Sequence, residues 1–441
     1  MPQASTAART ARWTNWAGNQ SAHPAKVVTP GTAEELAEEI LRAADRGRTV
    51  KAVGSGHSFT SIASAGDGVL VRPHAMTAVR ELDRAAGTVT VEAGLPLHRL
   101  NRLLAAAGLS LTNMGDIEVQ TVAGATSTGT HGTGRDSGSL AAQIRGLELV
   151  LADGSVRHCS PTEDPRLFEA ARLGLGALGV ITALTFAVEP AFLLTAHEQP
   201  MGFDEVLGRL DELTAVNEHF EFYWFPHTDR CSTKRNNRSL GPAAPLPRFK
   251  EWLEDDFLSN TVWEGACRLG RRFPGSVPTI ASLASRAWSD RSYTDTAYKV
   301  FTSPRKVRFT EMEYAVPRAA LGGVLRELKA LVERSDWKIS FPVEVRFAPA
   351  DDVWLSTAHG RDTAYIAVHL YRGTAEQGYF TGVERLMAAH QGRPHWGKLH
   401  TRDAEYLAGV YPRFADFTAL RDELDPDRRF GNDYLRRVLG A

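Results

Sequence analysis

The order of apolar and polar positions predicts a strand–helix–strand unit near the start of the chain. Thr32 and Glu35 fit a capping box, and Leu36 and Ile40 then fall on one helical face. The apolar run TVKAVG, residues 49–54, follows as a short strand. A glycine-rich loop, VGSGHSFT at residues 53–60, therefore lies at the end of this unit.

Further alternating patterns continue up to Pro190. Asp153-Gly154 is a strong hairpin signal between two of the predicted strands. The pattern predicts strands at 88–94, on both sides of that turn within 144–159, and at 179–190, and a helix at 97–108 that ends at Gly108.

The pattern changes after Pro190. An antiparallel sheet covered on one side by helices is the expected result. The predicted strands are 219–226, 305–316, 338–350 and 364–372, and the predicted helices are 203–217, 318–335 and a segment near 376–390. Residues 227–310 are predicted to be irregular, because Pro, Arg, Asn and Trp are scattered through them, and residues 1–11 are predicted to be a disordered leader.

Composition restricts the class of protein. A chain of 441 residues is too long for one ordinary core, so two domains are expected. The formal net charge of −1 gives no indication of nucleic-acid binding. Three cysteines without CxxC spacing indicate neither a disulfide framework nor a zinc site, so no metal is expected.

The expected location is the cytoplasm. The N-terminus lacks the apolar core of a secretory signal, and no apolar run approaches the roughly 18 residues of a membrane span. Peripheral contact with a membrane remains open.

The loop Gly54-Ser55-Gly56-His57-Ser58 is the first candidate for chemistry. Its glycines allow the backbone to approach a ligand, and successive N–H groups can bind an anion. The third glycine of a dinucleotide fingerprint and the GK[ST] of a Walker A loop are both missing. A tight turn with an incidental histidine is the alternative.

Residues 113–134, NMGDIEVQTVAGATSTGTHGTG, form the second candidate. Ordering so many glycines and small hydroxyl residues costs conformational entropy, which makes sense if a large polar ligand organises them. A flexible linker is the alternative.

Two short motifs complete the set. In VEVRF, residues 343–347, strand geometry places Glu344 and Arg346 on one face and the apolar residues on the other. In PHWGK, residues 394–398, a turn presents a histidine and a lysine. A solvated sheet surface and a surface loop are the respective alternatives.

Together these four segments resemble the aldonolactone oxidoreductases. This family contains gulonolactone, arabinonolactone and galactonolactone oxidases, has the alditol oxidases as near relatives, and belongs to the vanillyl-alcohol oxidase type of flavoprotein. The motifs GSGHSF, GATSTGTHGTG, EVRF and PHWGK occur in the family's order, and the resemblance runs from about Trp16 to the C-terminus.

The resemblance implies an α+β fold of the vanillyl-alcohol oxidase type with FAD as cofactor. The implied parts are an FAD-binding domain (12–190), a substrate or cap domain with an antiparallel sheet covered by helices (191–393), and a C-terminal segment that returns to the FAD site (394–441).

The resemblance also assigns residues to the cofactor. It implies a covalent link from His57 to the flavin 8α-methyl group. The other implied FAD contacts are Gly54, Ser55, Gly56, Ser58, Gly115, Ala125, Thr126, Thr128, Gly129, His131, Gly132, Val180, Ile181, His395 and Asn432, with Tyr434 beside the last.

On the substrate side the resemblance implies Glu344, Arg346 and Lys398, and less directly His369, because a gap must be placed before it. Arg346 and Lys398 would stabilise a developing alkoxide. The catalytic base stays unassigned.

The implied reaction oxidises a sugar 1,4-lactone, L-gulono- or D-arabinono-1,4-lactone, at C2 to give ascorbate or its five-carbon analogue, with O2 reduced to H2O2. The alternatives are a lactone dehydrogenase that uses a cytochrome or quinone, an alditol oxidase acting on xylitol or sorbitol, and a flavin-binding scaffold without catalysis. The expected partners are therefore a small sugar lactone or polyol and an electron acceptor, with no nucleic acid.

Overall fold

A computed structural model describes residues 12–376 and 378–441, so the predicted leader at 1–11 lies outside the described residues. The part of the chain up to Pro190 contains short strands and helices around a parallel and an antiparallel sheet. The strands are β1 (Trp13–Thr14), β2 (Ser21–Ala22), β3 (Lys26–Val28), β4 (Val50–Ala52), β5 (Val69–Val71), β6 (Val79–Asp83), β7 (Thr88–Glu92), β8 (Leu109–Ser110), β9 (Ile144–Val150), β10 (Val156–Cys159), β11 (Val180–Ala187) and β12 (Glu189–Pro190). The helices are α1 (Ala33–Ala44), α2 (Leu97–Ala106), α3 (Val122–Ser127) and α4 (Pro165–Ala171).

The predicted opening unit is confirmed. Helix α1 begins after Thr32, whose side chain accepts a hydrogen bond from the Glu35 backbone, and buries Leu36 and Ile40. Strands β3 and β4 both pair in parallel with β5. The loop that contains His57 follows β4 directly, so the parallel sheet fixes where that loop starts.

The antiparallel sheet of this part has the strand order β10-β9-β11-β7-β6, and β8 pairs separately with β12. The predicted hairpin at Asp153-Gly154 is confirmed, since β9 and β10 pair antiparallel across it. Gly154 has φ of +81°, a left-handed conformation that favours glycine.

From Leu193 onward the chain builds a large antiparallel sheet and its helices. The strands are β13 (Leu193–Gly202), β14 (His219–Trp224), β15 (Arg230–Ser239), β16 (Arg291–Thr296), β17 (Phe309–Pro317), β18 (Val343–Ala348), β19 (Thr363–Tyr371) and β20 (Arg393–Pro394). The helices are α5 (Phe203–Gly208), α6 (Leu210–Val216), α7 (Arg248–Glu251), α8 (Trp263–Arg272), α9 (Val277–Ala287), α10 (Ala297–Phe301), α11 (Leu321–Arg334), α12 (Tyr379–Ala389), α13 (Ala404–Val410), α14 (Phe414–Leu424) and α15 (Asp433–Leu439), with a π-helix at Trp252–Val262 between α7 and α8.

The eight strands are ordered β16-β13-β15-β14-β18-β19-β17-β20 and all pair antiparallel. Helices α5, α6, α11 and α12 cover one face with a continuous apolar core that includes Phe222, Leu325 and Val368. The predicted sheet with helices on one side is confirmed. Its opposite face is polar and turns towards the part of the chain before Pro190.

The prediction that residues 227–310 are irregular is wrong. Strand β15 is an inner strand of the sheet, between β13 and β14, and α7 to α10 and β16 occupy most of the remainder. Strand β15 reads RCSTKRNNRS, and buried polar side chains such as Thr233 bond to backbone carbonyls. Because the strand lacks an apolar run, the hydrophobic pattern does not reveal it.

Among the described residues, no helix has the length and apolar character needed to cross a membrane. Cys159, Cys231 and Cys267 are buried free thiols, as the absence of paired spacing predicts.

Candidate active site

The candidate active site lies on the polar face of the eight-stranded sheet. Successive residues of a strand point to opposite faces. Along β17, Met312 and Tyr314 pack into the helix-covered core, whereas Glu311 and Glu313 point the other way. Strand β18 repeats this pattern, so the predicted common face of Glu344 and Arg346 is confirmed.

The Arg346 guanidinium is at the centre of a buried charge cluster. It contacts Glu344, and its Nε donates to Glu221 Oε2 at 3.1 Å. Its second amino group lies 3.4 Å from Asp116 Oδ2. Burial alone would lower the pKa of Arg346, but the surrounding carboxylates outweigh it and hold the pKa well above its ordinary value. Arg346 is therefore a permanent cation with its position fixed by acceptors.

Glu344 differs from the neighbouring carboxylates in its titration. Burial raises its pKa, with a further contribution from the like charges of Asp116 and Glu221, and Arg346 offsets only part of this. The pKa of Asp116 is instead lowered, because Arg346, Arg305 and Lys398 outweigh its burial. The site thus contains one carboxyl group, Glu344, that accepts a proton more readily than usual.

Lys398 is the centre of a second cluster on the same face. Its Nζ contacts Glu311 Oε1 and lies 3.9 Å from Glu313 Oε2. Burial lowers the pKa of Lys398, but these carboxylates reverse the shift and raise it above its ordinary value. Lys398 also holds the pKa of Glu311 at about 2, against the effect of burial. The lysine is therefore charged and paired.

His369 lies beside the Lys398 cluster. Its Nδ1 faces the carbonyl of Pro342 at 3.3 Å. Its Nε2 is 3.4 Å from Glu311 Oε1. The predicted substrate-side residues Glu344, Arg346, Lys398 and His369 are thus brought together by three different segments.

His131 links this face to the glycine-rich segment. Its Nε2 is 2.8 Å from Glu313 Oε1 and its Nδ1 is 2.9 Å from the carbonyl of Gly132. Its ring stacks on Tyr365, with centroids 3.5 Å apart. Both ring nitrogens of His131 therefore face oxygen acceptors.

His395 is the third member of a buried group with His131 and Glu313, whose nitrogen and oxygen atoms lie within 4.8 Å of one another. The His395 Nδ1 accepts from the Gly397 backbone at 3.0 Å, so the proton of the neutral ring is on Nε2. Burial lowers the pKa of His395 to about 4, so the ring is neutral at pH 7. With its free nitrogen protonated, His395 is a hydrogen-bond donor rather than a metal ligand.

The loop with His57 packs against the PHWGK turn. The Phe59 backbone donates to Gly397 O at 2.7 Å, and Lys398 Nζ lies 5.8 Å from the centre of the Phe59 ring. The His57 ring stacks on Trp16, with centroids 5.3 Å apart. The structure therefore places the predicted tether close to the predicted substrate lysine.

The His57 imidazole is neutral and makes no hydrogen bond within the described part of the chain. Burial lowers its pKa to about 4. In the part of the chain that the structure describes, neither ring nitrogen of His57 has a hydrogen-bond partner, whereas both ring nitrogens of His131 and the Nδ1 of His395 do. A free lone pair at neutral pH is the chemical requirement for a covalent bond to carbon.

Glycines let this loop and the segment 113–134 approach closely. A Cβ on Gly54 would lie 2.2 Å from Thr121 Oγ1, and a Cβ on Gly132 would lie 2.0 Å from Met114 O. Gly56 and Gly129 have φ of +69° and +84°. Gly115 is also tight, with Thr130 at 3.0 Å from its ideal Cβ. The flexible-linker alternative for this segment is wrong, because it contains helix α3 and is largely buried.

An open cleft of about 590 Å³ runs along the first part of the glycine loop. Backbone and basic side chains line it together, a combination that suits a pyrophosphate. Its lining residues are Arg12, Trp13, Thr14, Val53, Gly54, Ser55, Arg72 and His74.

Other predicted cofactor residues have contacts within the chain. The hydroxyls of Thr126 and Thr128 donate to helix carbonyls, and Ala125 and Thr126 are fully buried on α3. Ser55 donates to Val119 O at 2.6 Å, and the backbone oxygen of Ser58 accepts from Asn15. Val180 and Ile181 are buried in apolar cores on either side of β11.

The Asn432 side chain holds the backbone that directly follows the His57 loop. Its side-chain amide donates to the carbonyls of Ser61, Ile62 and Ser64, and its side-chain oxygen caps α15. Tyr434 donates to Trp396 O at 2.8 Å. The C-terminal segment therefore returns to the site and fixes both of its loops.

The sequence analysis missed half of the charged face, namely Asp116, Glu221, Tyr223, Arg305, Glu311 and Glu313. Strand alternation could have found some of them, since TEMEY and FEFYW place acidic and apolar residues on opposite faces in predicted strands. Asp116 and Arg305 lie on loops without periodicity, so a tertiary contact alone brings them to the site.

Known proteins resemble the whole chain. The family model "D-arabinono-1,4-lactone oxidase" matches residues 184–438, and the model "FAD binding domain" matches residues 24–160. The L-gulono-1,4-lactone dehydrogenase of Mycobacterium tuberculosis strain H37Rv is 46% identical over 97% of this chain and 99% of its own length. The L-gulonolactone oxidase of Scyliorhinus torazame is 34% identical over 96% and 97%.

The fold is similar to that of a solved flavoenzyme structure. Cholesterol oxidase from Brevibacterium sterolicum superimposes with a TM-score of 0.82 at 18% identity, covering 97% of this chain and 96% of that one. This likeness concerns the fold, and it confirms the predicted two-domain α+β class. The protein is thus an FAD-dependent oxidoreductase that acts on CH–OH groups, and it belongs to the D-arabinono-1,4-lactone oxidase family.

Proposed function

We propose that the protein oxidises the C2 hydroxyl of a neutral sugar 1,4-lactone, L-gulono- or D-arabinono-1,4-lactone, to the ketone that tautomerises to ascorbate or its analogue. The observation that carries this proposal is the paired charge face, with Arg346, Glu344 and Lys398 next to the loop of His57. FAD, when bound, supplies the hydride acceptor.

The charge pairing favours a neutral substrate. Three cations of this face have a carboxylate partner in the described chain: Arg346 pairs with Glu344, Lys398 with Glu311, and Arg305 with Asp116. Lys234, the register partner of Glu221 on the neighbouring strand, instead donates to Val300 O. Each of these cations thus already has an acceptor, and the paired acidic groups offer acceptors for hydroxyl protons. A lactone fits this environment, whereas the open-chain aldonate would bring an unpaired negative charge.

We assign the remaining roles in the reaction to four side chains of the charged face. Arg346 and Lys398 lower the free energy of the alkoxide that develops when the hydroxyl loses its proton. Glu344 takes that proton, since its pKa is raised and its carboxylate already faces Arg346. His369 orients the Lys398 cluster through Glu311.

The residues of the first half suit FAD. The cleft beside Gly54 and Ser55 would hold the pyrophosphate, and the missing side chains at Gly54 and Gly132 let the glycine-rich segments pack closely beside it. His395 would donate from Nε2 to the cofactor. His57 would bind the flavin 8α-methyl carbon covalently, which its neutral, unpartnered ring supports.

Oxygen is the proposed electron acceptor, with H2O2 as product, as the name of the Scyliorhinus torazame relative suggests. A dehydrogenase with a cytochrome or quinone acceptor is the second candidate. It is favoured by the name of the Mycobacterium tuberculosis relative, which is more similar.

The test uses purified holoenzyme without air. Addition of either lactone should bleach the flavin absorbance, whereas sodium L-gulonate should leave it unchanged and xylitol should bleach it more slowly. Readmission of oxygen should then restore the colour with one peroxide per lactone. Bleaching by the aldonate would contradict the charge argument, and bleaching by xylitol alone would favour an alditol oxidase. Recolouring that is slow with oxygen but fast with an added cytochrome or quinone would favour the dehydrogenase.

A further inference from the structure

Exposed apolar side chains are concentrated in one short stretch of the substrate domain. Ten of the seventeen exposed large hydrophobic residues of the described chain lie between Leu240 and Trp288. Phe249 is 72% exposed and Phe273 is 56% exposed. Isolated exposed apolar residues are normal, but a concentration of this kind marks an interaction surface.

Seven of these residues lie on one side of a continuous helical rod or directly after its end, and Leu240, Leu283 and Trp288 lie outside it. Helix α7, the π-helix and α8 follow one another without a break from Arg248 to Arg272. The rings of Phe249 and Trp252 are 6.0 Å apart and those of Trp252 and Phe257 are 5.6 Å apart. The stripe continues at helical spacing, and its further members are Leu258, Val262, Leu269 and Phe273. We call this set the outer face.

The opposite side of the rod is polar, and its hydrogen bonds hold the rod against the rest of the chain. Glu254 and Asp255 accept hydrogen bonds from Arg291, and the buried Asn260 donates to Pro304 O and accepts from the Lys306 backbone. The usual arrangement of a surface helix, apolar side inward, is therefore reversed over this part of the rod.

The charges around the outer face favour an anionic partner. The acidic residues of the rod are mostly neutralised by pairs, such as Asp256 with Lys306 and Glu264 with Arg268. Among the described residues, only Glu251 of the rod's acidic side chains lacks a basic partner. Among the described residues from 240 to 288, the exposed basic residues without an acidic partner are Arg248, Arg271, Arg272 and Arg286.

The inner side of the rod lies beside the charge cluster of the candidate site. Asn260 holds both neighbours of Arg305, whose side chain is 39% exposed and pairs with Asp116 at the edge of the charge cluster. On α8, the Trp263 ring contacts Phe341, which in turn contacts His369, with centroids 5.9 Å apart in both cases. The rod that carries the outer face therefore packs directly against residues next to the candidate site.

We propose that the outer face docks the protein on an anionic lipid surface, with the rod lying in the plane of the headgroups. Clustered aromatic residues flanked by unpaired arginines match that interface, where rings enter the acyl boundary and guanidinium groups contact lipid phosphates. A second copy of the chain is less suited, because it would bring the same unpaired arginines together. This inference goes beyond the proposed function and does not depend on it.

The experiment is co-sedimentation of the holoenzyme with vesicles of phosphatidylglycerol and phosphatidylcholine, and with vesicles of phosphatidylcholine alone. The test variant is Phe249→Ser/Trp252→Ser/Phe273→Ser. The matched control is Leu41→Ser/Leu103→Ser/Val216→Ser, which removes three equally exposed apolar residues outside the rod. Circular dichroism and turnover with a soluble dye acceptor verify that both variants are folded, and both turnovers should stay within about twofold of wild type, because surface substitutions change stability little.

Wild type and the control should sediment with the anionic vesicles, less so in high salt, and the test variant should bind at least about tenfold more weakly. The inference is overturned if wild type stays in the supernatant with both vesicles, or if the test variant binds as tightly as wild type. Light scattering adds a further outcome: a wild-type dimer that the test variant abolishes would show that a second copy covers the outer face. Failure of the lactone assay with retained vesicle binding would affect the proposed function alone.

Discussion

The two halves of the active site are built by different means. On the FAD side, at Gly54 and Gly132, glycines let backbone segments approach to distances at which a Cβ would collide with Thr121 or Met114. On the sheet side, charged side chains on stiff neighbouring strands fix one another, as Arg346 does with Glu344 and Glu221. The first half depends on close packing of backbone segments and the second on balanced charges. Substitutions in the two halves should therefore have different effects.

Replacement of His57 should give the largest effect, and it tests the FAD side. If the proposed tether is right, the covalent flavin should disappear completely in His57→Ala, since the ring would be the bond-forming group. Reversible flavin binding should persist, because the cradle consists of glycine backbone. The measurement is flavin fluorescence in denaturing gels and in acid precipitates.

The control for this substitution is His74→Ala, since His74 is an exposed histidine that lines the cleft beside Gly54 and Ser55. It should retain covalent flavin. Flavin that remains with acid-precipitated His57→Ala protein would show that the tether lies elsewhere.

Replacement of Arg346 tests the sheet side. Arg346→Met should lower turnover about 10³-fold, because the developing alkoxide loses a fixed cation. It should also cost about 3–5 kcal/mol of unfolding free energy, since buried carboxylates lose their partner. Steady-state kinetics and urea unfolding at pH 7 measure the two effects, and flavin content should be unchanged.

Arg305→Met is the matched control on the same face. Arg305 pairs with Asp116 but is partly exposed, so solvent can replace much of its contribution. Its turnover and stability should change much less. Equal losses of turnover and stability in the two variants would contradict the argument that burial makes the ion pairs of Arg346 more important than that of Arg305.

The contrast between the halves also explains how much the sequence predicts. The FAD side uses residues contiguous in sequence, so GSGHS and the segment around Gly129 and Gly132 are recognisable as motifs. The sheet side collects side chains from β14, β17, β18 and β19 and from three loops. Alternation reveals Glu344 and Arg346 within one strand, but the pairing of Lys398 with Glu311 depends on strand order.

The predicted helices and strands agree with the structure where apolar periodicity is strong, as in α1, α11 and β19. The prediction failed between Asp229 and Arg308, where β15 is an inner strand rich in small polar residues and the rod turns apolar residues outward. In both places the ordinary rule of apolar inside and polar outside is reversed. Such reversals are expected where a site or an interface is built.

The smallest of the three effects concerns the proton acceptor. Burial raises the pKa of Glu344 above its ordinary value of 4.5, and the carboxylate form accepts the substrate proton. Turnover should therefore rise with pH through that raised pKa, as one apparent titration of the coupled cluster. In Glu344→Gln this acidic limb should vanish and turnover should fall about 10²-fold. The matched control is Glu221→Gln, which contacts the same guanidinium through its Nε and should keep the limb. If the limb persists in Glu344→Gln and vanishes in Glu221→Gln, then Glu221 is the proton acceptor and Glu344 only positions Arg346.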